Sequence, residues 1–190
     1  MPSGKLIAIS APSGSGKTTI AKEILSRNPG LKFSVSATTR PKRAGEIDGR
    51  DYFFLTEEDF RSRLEAGDFV EWEVLYGDFY GTLKSEVDAA LAAEQSILFD
   101  VDVKGALSIK KQYPGALLIF IRPPSLEALK DRLVNRKTEN HVTLKRRLDR
   151  VSMEMELGKR FDHQVVNDKL DRAIREVQSI VEQHLGKLSQ

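Results

Sequence analysis

The stretch Lys5-Leu-Ile-Ala-Ile-Ser10, Ala11-Pro12-Ser13-Gly14-Ser15-Gly16-Lys17-Thr18, Thr19-Ile-Ala-Lys-Glu-Ile-Leu-Ser-Arg27 decides the fold. Its first part is a short apolar run that ends in small residues and Pro12, which predicts a buried strand. Its last part carries apolar residues at 20, 21, 24 and 25, the spacing of a helix, and Asn28-Pro29-Gly30 stops it. Between them, Gly14 and Gly16 allow the backbone to turn its N–H groups inward. The helix that opens at Lys17 directs its positive end to the same place, so strand, loop and helix together make an anion cradle.

The loop approximates G-x-x-x-x-G-K-[ST], with Ala11 in place of the first glycine. In that pattern Lys17 is a mobile cation for the β and γ phosphates of a nucleoside triphosphate. Thr18 supplies a hydroxyl where Mg²⁺ would sit. Ser96-Ile97-Leu98-Phe99-Asp100 is a second buried strand, and it delivers an acid at its carboxyl end, the other half of such a site.

Outward from the loop, strands are predicted at 5–10, 96–101, 117–121 and near Val165–Val166, apolar on both faces and separated by helical stretches. This is the pattern of a parallel sheet covered on both sides. Helices are predicted over 86–93, 125–135, 143–159 and 169–185. The segment 34–84 interrupts the pattern with more polar, alternating strands (32–36 and 51–55) and a helix opened by Thr56 as N-cap, with Asp59 in the capping-box position. It reads as an inserted lobe. Trp72 reads as a packing residue.

Composition removes several classes. The chain has 190 residues, enough for one domain with small inserts. It has no cysteine, which excludes disulfides, thiolate metal sites and a cysteine nucleophile, and suits a reducing, cytoplasmic setting. Its three histidines lie far apart, which argues against zinc. No apolar run approaches the roughly 18 residues of a membrane span. A net charge of +2 and basic runs without interleaved aromatics argue against a nucleic-acid partner.

Seven segments in order resemble a guanylate kinase: SAPSGSGKTT (10–19), FSVSATTRPKRAGEIDGRDYFF (33–54), FVEWEVLYGDFYGT (69–82), ILFDVDVKG (97–105), FIRPPS (120–125), NRKTENHVTLKRRL (135–148) and VVNDKLDRA (165–173). The resemblance implies a three-part P-loop nucleoside monophosphate kinase. Its core would be 1–33, 85–134 and 160–190, its GMP-binding lobe 34–84 and its lid 135–159. It implies ATP + GMP ⇌ ADP + GDP with Mg²⁺, the two nucleotides as partners, no membrane, and a monomer or homodimer. By motif position it assigns Ser36, Arg40, Arg43, Tyr52, Glu71, Tyr80, Thr82 and Asp102 to GMP. Residues 11–19 (Ala11, Pro12, Ser13, Gly14, Ser15, Gly16, Lys17, Thr18, Thr19) and Asn167 fall to ATP, and Thr18 and Asp100 to the metal, directly or through water. Lys17, Arg40, Arg43, Arg136 and Arg147 are the expected charge-stabilising residues. Lys104, Asn135 and Lys137 depart from the family pattern.

The residues support those roles on their own chemistry. Arg40 and Arg43, three apart on a loop broken by Pro41, offer two guanidinium forks for a phosphomonoester. Glu71 and Asp102 are acceptors for the N1–H and N2–H₂ donors of guanine, whereas adenine presents an acceptor at N1. Two other readings compete: a P-loop kinase for a base-free phosphomonoester such as a ribose bisphosphate, and a binding module that holds phosphopeptides in the same lobe. Carboxylates at both 71 and 102 argue against the first, and Lys17 with Gly14 and Gly16 against the second.

Overall fold

The computed structural model describes residues 4–12, 14–75, 77–125, 127–129 and 141–186, with backbone alone for 141–149. Fifteen named elements follow one another: β1 (Leu6–Ser10), α1 (Lys17–Arg27), β2 (Leu31–Phe33), β3 (Ala37–Thr38), β4 (Phe53–Phe54), α2 (Glu57–Glu65), β5 (Phe69–Leu75), β6 (Asp78–Leu83), α3 (Lys84–Ala92), β7 (Ser96–Asp100), α4 (Val103–Gln112), β8 (Leu117–Arg122), α5 (His141–Gly158), β9 (His163–Val166) and α6 (Leu170–His184).

Five strands form a parallel sheet in the order β2-β7-β1-β8-β9. β1 is central and all five of its residues are buried, as a strand covered on both faces must be. On one face Ile7, Ile9, Ile119 and Ile121 pack on Ile20 and Ile24 of α1 and on Ile174, Val177 and Val181 of α6. On the other, Ala8, Phe99, Leu118 and Phe120 pack on Val87 of α3, Val103, Ala106 and Ile109 of α4, and Phe161. Truncating any of the fully buried isoleucines to alanine costs about 2–5 kcal/mol by the usual cavity argument. The α/β/α layering agrees with the sheet expected from the apolar runs.

The second sheet lies within 37–83, in the order β4-β3-β6-β5. β5 and β6 are antiparallel neighbours, and β3 joins β6 antiparallel and β4 parallel. Its small core joins Ala37, Phe60, Phe69, Phe79 and Leu83, with the rings of Phe60 and Phe69 stacked at 4.3 Å between centroids. Thr56 caps α2 as its sequence requires: Oγ1 accepts from the Asp59 amide at 3.0 Å and donates to the Asp59 carboxylate at 2.7 Å.

Several elements differ from the sequence expectation. The expected strands at 32–36 and 51–55 shorten to β2 and β4: the Ser34 amide makes the last bond to the core sheet, to the Leu98 carbonyl, and by Ser36 the chain already pairs with Phe53 of the second sheet. Helix α4 was not expected, although Asp102 caps it, accepting from the Gly105 amide at 2.7 Å, and Val103, Ala106 and Ile109 show the i, i+3 spacing. Trp72, expected as a packing residue, is 47% exposed, since β5 is an edge strand; its ring meets the Phe79 ring at 6.1 Å. The helix expected over 125–135 falls mainly outside the described residues. Among the described residues no helix is long and apolar enough to cross a membrane.

Candidate active site

β1 and β7 are adjacent and parallel, with Ile9 opposite Asp100, so the loop after β1 and the acid ending β7 emerge side by side. This is the crevice at the carboxyl ends of parallel strands where α/β proteins take ligands. Lys17 closes it: its Nζ lies 2.6 Å from Asp100 Oδ1 and donates to the Val101 carbonyl at 3.1 Å. Thr18 Oγ1 donates to the other Asp100 oxygen at 3.4 Å. Lysine, threonine and aspartate thus meet at one point from two segments more than 80 residues apart.

The loop has the backbone its glycines foretell. Gly14 and Gly16 lie in the left-handed region at φ 86° and 87°. A Cβ on Gly16 would also stand 2.6 Å from Asn167 Nδ2, and that amide donates to the Ser15 carbonyl at 2.8 Å. Asn167 therefore packs on the loop directly. Ala11 needs no such freedom; it is buried in the α1-side core, which explains how alanine serves where the pattern has glycine. Ser13 lies outside the described residues.

Beyond Asp100 the chain turns from metal-suited chemistry to acceptor chemistry. Asp102 stands two residues on and caps α4 through Oδ1, leaving Oδ2 for another partner. Glu71 comes from β5. A register shift between Phe69 and Glu71 sets Glu71 directly opposite Thr82 of β6. Thr82 Oγ1 donates to Glu71 Oε1 at 2.5 Å. Its other oxygen faces α4 so closely that a Cβ on Gly105 would stand 2.9 Å from it. Burial, with Asp102 and Glu73 adding repulsion, pushes the Glu71 carboxyl up to about 7. The strand expected at Glu71 is present, and its side chain is buried rather than turned to solvent.

Arg40 stands two residues beyond the end of β3. Its guanidinium lies over the rings of Tyr52, at 5.2 Å, and Phe54, at 5.8 Å, and Tyr52 meets Tyr80 edge-on at 6.2 Å. The fork is held by Glu46, at 3.1 and 2.7 Å, and the Arg43 amide donates to the same carboxylate at 2.7 Å. These donors hold Glu46 below the usual carboxylate range. Arg43 is exposed and contributes its backbone to this knot, while Ser36 is half-buried and its carbonyl accepts from the Phe53 amide.

Glu46 was missed in the sequence, and its position six residues after Arg40 was the available signal. Glu73, Arg150 and Glu154 were missed as a cluster: Arg150 reaches Glu73, Asp102 and Glu154 together. Arg136 lies outside the described residues, and Arg147 lies on α5 with its side chain outside them.

A parallel α/β sheet, a glycine-turned loop at its central strand and a lysine–threonine–aspartate meeting point define a P-loop nucleotide-binding fold of the kinase type. The family model for guanylate kinase matches residues 3–184. A guanylate kinase of Salinibacter ruber is 49% identical over 188 residues, covering 98% of this chain and 100% of that protein. One from Chlorobium luteolum is 48% identical over 175 residues, covering 92% of this chain and 89% of that protein. The crystal structure of guanylate kinase from Anaplasma phagocytophilum superposes with a TM-score of 0.74 at 25% identity, covering 97% of this chain and 88% of that one. The chain belongs to the guanylate kinase family.

Proposed function

We infer that this chain transfers the γ-phosphoryl group of ATP to GMP, giving ADP and GDP, the reaction of its family. The observation that supports the residue assignment most is the strand end Asp100-Val101-Asp102. Its first two residues meet Lys17, and its third stands beside Glu71. A phosphate site and a base site thereby share three consecutive residues, as a transfer between two nucleotides requires.

On this reading the loop amides and Lys17 hold the ATP phosphates, with Asn167 toward the adenine side. Arg40 and Arg43 grip the GMP phosphate beside Tyr52 and Tyr80. The phosphate competes with Glu46 for the Arg40 fork, and the aromatic rings keep that guanidinium in place during the exchange. Glu71, supported by Thr82, and Asp102 accept from the guanine edge with Ser36 nearby. Adenine would leave a buried acid facing an acceptor, which sites of this kind reject strongly. Arg136 and Arg147 add charge from the lid.

Thr18 and Asp100 fit Mg²⁺: both donors are hard oxygens, and they lie together where the β and γ phosphates would end. Among the described residues no cluster of three or more histidine or acidic side chains forms a protein cage. That suits an ion that keeps water and phosphate oxygens as its other ligands. When bound, Mg²⁺ supplies positive charge to the phosphate oxygens. The remaining work is alignment, exclusion of water and cationic stabilisation by this chain's own side chains, with no protein nucleophile.

Lys17→Ala tests the division of labour. Transfer should fall by on the order of 10³-fold, while GMP affinity measured by calorimetry stays within about threefold. Loss of GMP binding together with transfer would contradict the separate sites.

A further inference from the structure

Arg150, on the second half of α5, gathers acids from three elements. Its Nε donates to Glu154 Oε1 on the same helix at 2.8 Å. Its Nη2 lies 3.3 Å from Glu73 Oε2 on β5 and 3.5 Å from Asp102 Oδ2 at the start of α4. The Asp102 oxygen that it meets is the one left over from the helix cap. Glu73 shares a strand face with Glu71, two residues away, and lies opposite Tyr80.

These are not solvated surface pairs. The Glu154 side chain is 7% exposed, Asp102 14% and Glu73 25%, against 40% for Arg150 itself. Asp102 and Glu73 also repel the Glu71 carboxylate, so three carboxylates act on one another there. Lys17, from the start of α1, is a further cation whose field reaches Glu73 and Glu154. An i, i+4 pair with Glu154 alone would be worth little, but a planar fork shared among half-buried acids fixes their geometry as well as their charge.

We propose that Arg150 is a positioning residue of the base site: its guanidinium sets the Asp102 and Glu73 carboxylates in place and ties α5 to β5 and α4, the elements that read the purine. The proposal rests on the assignment of GMP to Glu71 and Asp102. Arg150 belongs to the expected lid segment, three residues after Arg147, so the helix expected to serve the phosphates is also anchored by the acids that recognise the base. Filling the base site and orienting α5 are then one event.

The test is steady-state kinetics of the full chain with ATP and GMP, with AMP as control. Arg150→Ala should raise KM for GMP about tenfold and leave KM for ATP within about twofold, because beyond its own helix the fork reaches only Asp102 and Glu73. Arg150→Lys, which keeps the charge and loses the fork, should recover part of the loss, and Arg150→Gln none. In a Glu73→Gln background the Arg150→Ala penalty should shrink, since one acid that needs the cation is gone. Equal rises in KM for GMP and ATP, an unchanged KM for GMP, or full additivity with Glu73→Gln would overturn the proposal. A parent protein that turns over AMP as readily as GMP would overturn the base-site assignment, and with it the role of Arg150. A parent selective for GMP with an indifferent Arg150 would overturn the proposal alone.

Discussion

Glu71 is 8% exposed, between Thr82 and the start of α4, and burial pushes its carboxyl up to about 7 from an ordinary 4.5. The folded chain therefore holds this proton over a range where the unfolded chain has released it. The sign follows: stability falls as pH rises from about 4.5 to about 7, by roughly 3 kcal/mol from this group, and levels off above. Urea unfolding at pH 5 and pH 7.5 checks it. The parent should lose more stability across that interval than Glu71→Gln does, and parallel losses would contradict the buried acid. Guanine donors favour the ionised form, so GMP binding near pH 6.5 should release a proton that Glu71→Gln does not release, read from the dependence of binding heat on buffer. The role of Glu71 was open in the sequence, because a strand carboxylate between Val70 and Trp72 can face either way. The bulge at Phe69–Glu71 that turns it inward has no composition signal.

Helix α4 shows how an element can serve a site while remaining invisible to simple periodicity. The run Val103–Gln112 is short, and Lys104, Lys110 and Lys111 dilute its apolar face, so the strand before it dominates the reading. Its start does three things: Asp102 caps it, Gly105 donates to that cap, and the missing side chain of Gly105 admits Glu71. An added Cβ would stand 2.9 Å from Glu71 Oε2 and 3.0 Å from Asp102 Oδ1. Both are ends of side chains and can move, so the strain falls on the site rather than the fold. Gly105→Ala should keep its melting temperature, helped by up to about 1 kcal/mol of helix propensity, yet raise KM for GMP about tenfold or more. A fall in melting temperature with KM unchanged would contradict this. By contrast β1, the loop and α1 were legible throughout, because glycine spacing, apolar runs and a helix stop all agree there.

Across the whole molecule the near-neutral charge conceals two opposed regions. Residues 34–84 hold 7 basic and 11 acidic residues, net −4, and residues 122–160 hold 11 basic and 6 acidic, net +5. The acidic segment contains the second sheet with Glu71 and Glu73; the basic one contains α5 with Arg150, and the two meet at the Arg150–Glu73 pair. A region that reads donors on a base and one that approaches phosphates would carry these signs. The parallel sheet was legible because its strands are apolar on both faces. The pairings of charges were not: Arg40–Glu46 within the acidic segment and Arg150–Glu73 between the two regions are choices among many charged residues that only the folded chain makes. On the proposed function, one crevice joins an ATP cradle to a guanine-reading acid pair. A coupled assay with ATP against GMP, dGMP, AMP, UMP and ribose 1,5-bisphosphate tests it most directly. Turnover of GMP is expected, with dGMP next and AMP lower by about 10⁴-fold or more in kcat/KM; equal turnover of AMP, or preference for the base-free bisphosphate, would overturn the guanine-reading role of Glu71 and Asp102.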